Sequence, residues 1–130
     1  MSSFTEPLEA TPFSDDMVRW ILTKQFTYKV GSLDSDTSVI VNKGFVTDFA
    51  TTWPFHWIIP RQGKYGKAAV VHDWLCERKT MYKAGVLVYV SRKEADKIFL
   101  EAMKVSGVNA LVRYAMYGYV RLYAVLTGKK

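Results

Sequence analysis

The sequence predicts an α+β domain: a small antiparallel β-hairpin or sheet packed on about three α-helices. Two patterns carry that expectation. Residues 26–30 alternate Phe26, Tyr28 and Val30 against Thr27 and Lys29, the period-two signature of a strand with one wet face. Residues 67–79, 92–106 and 109–127 carry apolar side chains at helical spacing. At 130 residues and 49% hydrophobic composition the chain can bury one core and is not a disordered polymer. Residues 1–16 read as an acidic N-terminal arm and 17–130 as a single globular domain.

The elements follow in order. The arm holds Pro7 and Pro12 and no periodicity. Residues 18–31 are rich in β-branched and aromatic side chains and read as strand. Asp34, Ser35 and Asp36 supply turn chemistry, and TSVIVN at 37–42 reads as the partner strand, so 24–42 is expected to be a hairpin. Residues 45–65 read as a long loop crowded with Phe45, Phe49, Trp53, Phe55 and Trp57. Loops of this length in compact domains are usually functional or hold a small core of their own. Residues 67–79 read as a helix and 80–90 as mostly loop, despite the apolar run GVLVYV. Ser91 and Glu94 form a capping box that opens the next helix, and Gly107 stops it. Asn109 can cap the last helix, which runs to about Leu126.

Charge is unevenly distributed. The arm carries Glu6, Glu9, Asp15 and Asp16 and no Lys or Arg. The whole chain is +6, so the remainder is +10. A basic body suits an anionic membrane surface or an acidic partner. It shows neither the clustered Arg nor the aromatic spacing of a nucleic-acid module, so no specific nucleic-acid partner is expected. In the last helix Arg113, Tyr117 and Arg121 recur every four residues as one polar stripe. Two arginines near mid-bilayer would be costly, which favours a core helix with a wet stripe over a membrane span. The arm lacks a basic start and an apolar stretch, so no secretory signal is expected. The single Cys76 fits synthesis in the cytoplasm.

The chemistry concentrates in AAVVHDWLC at 68–76 and SRKEADKIFLEAM at 91–103. Helical spacing puts His72 beside Ala68, Ala69, Leu75 and Cys76, half-burying the imidazole. Such a ring needs partners, and Asp96 is the best-placed carboxylate. A His-Asp pair is the minimal unit of general-base catalysis, but it serves equally as a satisfied core histidine. Asp96 is also placed for an i, i+4 ion pair with Arg92. Asp48, framed by Phe45, Phe49 and Trp53, reads equally as a metal carboxylate or as a turn cap through Thr51 or Thr52. Asp48 and Asp73 could join His72 and Asp96 in an oxygen-rich metal site, with Thr47, Lys64 and Arg92 as supporting donors. His56 reads as a packing residue of the aromatic loop, and Cys76 as a small buried apolar group.

GFVTDFATTW, Pro60, GKYGKAAVVHDWL, SRKEADKIFLEAM and RYAMYGYVR occur here in the order and spacing of domain-of-unknown-function family 1353, a family met mainly in tailed phages and prophages. The resemblance covers about residues 25–123. It departs at Thr51, where Ser is usual, and at Cys76, where Tyr is usual. It implies phage origin and leaves activity open. A narrower resemblance links HD-x-x-C and AD-x-x-F to the catalytic helix pair of phospholipases A2. That resemblance implies His72 as base, Asp96 as its orienting carboxylate, and Asp73 as ligand to a divalent cation, calcium first and zinc second. The disulfides that frame those enzymes are impossible with one cysteine.

Two function classes follow. One is a small metal-assisted hydrolase of lipid or cell-envelope bonds. The other is a non-catalytic virion component of tail or neck. Its partners would be other tail or neck proteins, met through the arm and the aromatic loop.

Overall fold

The computed structural model describes Phe4 and residues 8–12, 20–32, 34–47 and 64–128. Two antiparallel sheets and three helices stand in the α+β arrangement expected from the sequence. Strands β1 (Ala10–Pro12), β2 (Trp20–Leu22) and β5 (Val46–Thr47) form one sheet in the order β1-β2-β5. Strands β3 (Phe26–Lys29), β4 (Thr37–Val41), β6 (Thr80–Lys83) and β7 (Val86–Tyr89) form the other in the order β3-β4-β6-β7. The helices are α1 (Lys64–Arg78), α2 (Arg92–Val105) and α3 (Ala110–Leu126).

The β3–β4 hairpin forms as its alternation predicts. Phe26 faces Val41 and Tyr28 faces Val39, and all four side chains are fully buried. The stretch read as one strand over 18–31 is instead two. Backbone bonds from Leu22 to Phe45 and from Gly44 to Leu22 tie β2 into the small sheet, and the chain turns at 23–25 before β3 begins. Part of the arm is drawn into the fold. β1 pairs with β2, Phe4 bridges to Tyr28 and packs on Phe26, and Glu9 lies 3.7 Å from Lys24.

Residues 80–90 overturn the loop reading. β6 and β7 form a tight hairpin through Ala84 and Gly85, both at positive φ (51° and 79°). That is the geometry of a primed turn, which normally announces itself with Asn-Gly or Asp-Gly. Here Ala84 occupies the first position, so the signal is missing.

α1 packs against both α2 and β4. Ala68 to His72 are buried without a break, as a helix covered on two sides requires. α2 begins at the predicted cap, with Ser91 Oγ accepting from the Glu94 amide at 3.1 Å. It ends in a Schellman turn, with Gly107 at φ 85° and Val108 N–H donating to Met103 O at 2.9 Å. Its apolar side (Ala95, Ile98, Phe99, Ala102 and Met103) meets α1, and α3 closes the other flank with Met116, Val120 and Ala124. α3 is not long and apolar enough to cross a membrane, and neither is any other described helix.

Candidate functional site: a carboxylate shared by three helices

Asp96 lies on the second turn of α2, on the side turned toward α1. The helix carries it inward with Ala95 and Phe99, and its side chain is 0% exposed. An ionised carboxylate in that position requires charge and hydrogen-bond partners. It has them from all three helices. His72 Nε2 of α1 lies 2.7 Å from Oδ1, Arg92 Nε of α2 lies 3.0 Å from the same oxygen, and Arg121 Nη1 of α3 lies 2.8 Å from Oδ2. Both oxygens are therefore engaged.

The imidazole of His72 is 4% exposed and stacks on Phe99, with ring centroids 4.3 Å apart. Burial lowers its pKa, and the neighbouring Arg92 lowers it further. The hydrogen bond and charge of Asp96 pull the other way without restoring it. The ring is therefore neutral at pH 7, with Nε2–H donating to Asp96. Burial by itself would raise the Asp96 carboxyl. The hydrogen bonds from His72 and Arg92 and the charge of Arg92 outweigh it and hold the group below its usual range. The stable state is a neutral imidazole and a carboxylate anion clamped by two guanidinium groups.

Cys76, one turn after His72 on α1, brings Sγ to 3.4 Å from the same Nε2. Sulfur and carboxylate thus share one ring nitrogen. A relay from a thiol through imidazole to carboxylate needs opposite nitrogens, so this is not a nucleophile-base-acid chain. Cys76 is also less enclosed than the sequence suggested, with intermediate exposure. One potential ligand atom each from His72, Cys76 and Asp96 lies within 4.8 Å of the others. A borderline cation could be held there by N, S and O donors. It would sit beside Arg92 and Arg121, whose charges oppose it.

The other residues singled out in the sequence fall as follows. Thr47, at the end of β5, donates Oγ1 to Asp73 Oδ2 at 2.5 Å, which ties the small sheet to α1 one residue after His72. Asp73 points toward that strand, while His72 turns into the helix layer. Asp48, His56 and the aromatic loop from 48 to 63 lie outside the described residues, as does the side chain of Lys64. Arg121 was missed as a site residue. Its spacing in the sequence groups it with Arg113 and Tyr117 in a wet stripe. In the fold Arg121 turns onto Asp96 and Arg113 Nη1 donates to Val108 O at 3.1 Å. The face of α3 turned to solvent is the apolar one, with Leu111, Tyr114, Leu122 and Val125 exposed.

A second polar link joins α2 to the large sheet. Glu101 accepts from the Tyr28 hydroxyl and, at 2.8 Å, from the Gly31 amide. Burial first, and then Glu101, push the Tyr28 phenol well above its ordinary pKa.

Fold and site thus define a small α+β domain whose helix layer is held by a buried Asp-His-Arg-Arg hub. The chain belongs to the family described as protein of unknown function (DUF1353), whose model matches residues 20–120. No curated protein and no solved structure matches it.

Proposed function

We propose that this is a phage-encoded, non-catalytic virion component of tail or neck, made in the host cytoplasm, in which the His72–Asp96 pair braces the fold. The observation that carries this reading is the saturation of Asp96. Its two oxygens take three donors from three helices, and the carboxylate has no exposed surface. A carboxylate that orients a catalytic histidine normally serves that ring, and the ring faces a cleft that admits substrate. Here Asp96 serves Arg92 and Arg121 as well, and the ring lies flat on Phe99. Phage origin rests on the family resemblance. A virion role rests on that origin together with the exposed apolar residues of α3 and β7.

A hydrolase is the second reading, favoured by one detail. Asp96 engages Nε2, and nothing among the described residues engages Nδ1, which leaves that nitrogen as the basic atom of a neutral imidazole. In this reading His72 removes a proton from water beside a lipid or cell-envelope ester or amide, and Asp73 holds a divalent cation.

The deciding experiment has two arms. Particles purified by density gradient from an induced host are probed for the protein, and the purified protein is assayed on phospholipid and envelope esters with and without calcium or zinc. The virion reading expects co-sedimentation with particles and no turnover. Metal-dependent turnover abolished by His72→Gln, with the folded state retained, would replace it with the hydrolase.

A further inference from the structure

The two edges of the large sheet are treated differently. On the β3 side, Phe4 bridges to Tyr28 and covers part of the edge. On the β7 side, no described strand follows, and the strand reads Val-Leu-Val-Tyr with no charge, no proline and no bulge. Val86, Leu87 and Tyr89 are 62%, 55% and 69% exposed. Natural sheets usually protect such an edge with charge, proline or a covering segment, because it is a template for another strand.

The hairpin register fixes which atoms β7 offers. Lys83 and Val86 flank the two-residue turn and form a hydrogen-bonded pair. Alternation makes Met81 and Val88 the next bonded pair, and Val90 N–H donates to Lys79 O at 2.9 Å in the same phase. Leu87 and Tyr89 therefore aim their N–H and C=O groups away from β6, and nothing among the described residues bonds them. Their side chains share one face of the sheet, the face on which Tyr82 stands opposite Leu87.

We infer that β7 pairs with β7 of a second copy of this chain, antiparallel about a twofold axis through Val88. In that register Leu87 of each copy lies opposite Tyr89 of the other. Both residues have outward backbone groups, so they exchange N–H···O=C bonds, and their side chains meet on the same face. A shift by one residue would set Leu87 opposite Val88, whose groups are already used by Met81 and whose side chain faces the other way. β7 is thus complementary to itself in hydrogen-bond phase, face and size. Its lack of charge points to the same occupant. The strand carries no charged side chain, so it sets no like charges opposite each other when it meets its own copy. The dimer joins the two four-stranded sheets into one continuous sheet, an isologous contact of the commonest symmetry.

Sedimentation velocity tests this directly. The wild-type chain is expected at twice its 14.9 kDa mass. Leu87→Pro removes an outward N–H at an edge position where proline is tolerated. It is expected to run as a monomer with an unchanged far-UV circular dichroism spectrum. A charge swap tests the register without proline. Leu87→Lys and Tyr89→Glu should each be monomeric alone and should form a mixed dimer when combined, because only the mixed pair sets Lys opposite Glu. A wild-type monomer up to the solubility limit overturns the proposal. So does a dimer that survives Leu87→Lys but is lost in Leu122→Glu, which would move the contact to α3. Failure of the swapped variants to recombine overturns the register.

Discussion

Replacing Asp96 by Asn keeps the size of the side chain and removes its charge. In the folded protein the carboxylate takes His72 at 2.7 Å, Arg121 at 2.8 Å and Arg92 at 3.0 Å. An amide has one acceptor oxygen, and its NH2 group would face donors. Arg92 is 9% exposed and Arg121 21%, so neither guanidinium can reach full hydration without disturbing the helices. Removing one partner of a buried ion pair costs roughly 3–5 kcal/mol, because the remaining charge stays buried and unpaired. Arg121 can turn partly to water, which puts the expected loss at about 3 kcal/mol. For a chain of this size that lowers Tm by roughly 10 °C. Guanidinium denaturation followed by circular dichroism measures the loss, with an unchanged m-value showing that the native fold persists. The exposed Glu9–Lys24 pair is the control: Glu9→Gln should cost at most about 0.5 kcal/mol. A loss below about 1 kcal/mol for Asp96→Asn would refute the idea that this carboxylate holds the helices together.

The other substitutions and the pH response follow from the same contacts. His72→Ala removes the stack on Phe99 and one donor to Asp96 and should destabilise by about 1–3 kcal/mol in urea titration. The His72 pKa is lowered in the fold, so only the unfolded chain gains this proton as pH falls below about 6.5. Stability should therefore be level above that pH and decline below it. The lowered Asp96 pKa adds a further loss at more acid pH, as pH falls below the ordinary aspartate value of 3.8 and through the folded value. Melting temperatures of wild type and His72→Gln across pH 4–8 check this; the first decline should shrink in the variant. Ser91→Ala removes the cap of α2 and should cost about 1 kcal/mol by thermal unfolding. Tyr28→Phe cuts the hydroxyl bond to Glu101 and should cost about 1.5 kcal/mol, since the Gly31 amide still holds that carboxylate.

What could be read from the sequence was local. The alternation at Phe26–Val30, the Ser91–Glu94 box and the Gly107 stop each work within a few residues, and each fixed its element. The meeting of His72 with Asp96 was also foreseeable, because two adjacent helices each carried one polar residue on an apolar side. Arg121 was not. Spacing within α3 groups it with Arg113 and Tyr117, and only packing against α2 decides that the stripe turns inward while Leu111 and Leu122 face solvent. The β6–β7 hairpin was missed because tertiary pairing holds Ala84 at positive φ, a conformation its side chain does not announce. The division of 18–31 between two sheets was equally invisible, since β-rich composition does not say which neighbour a strand will choose.

The closed hub is tested most directly by the ring nitrogens of His72 in a 15N-1H correlation spectrum. The brace predicts one neutral tautomer at pH 7, with the proton on Nε2, and shifts that stay fixed when millimolar calcium or zinc is added. An imidazole that titrates at about 6.5, the value of an unperturbed histidine, or whose Nδ1 or Nε2 resonance moves with metal, would contradict it and reopen the site to chemistry.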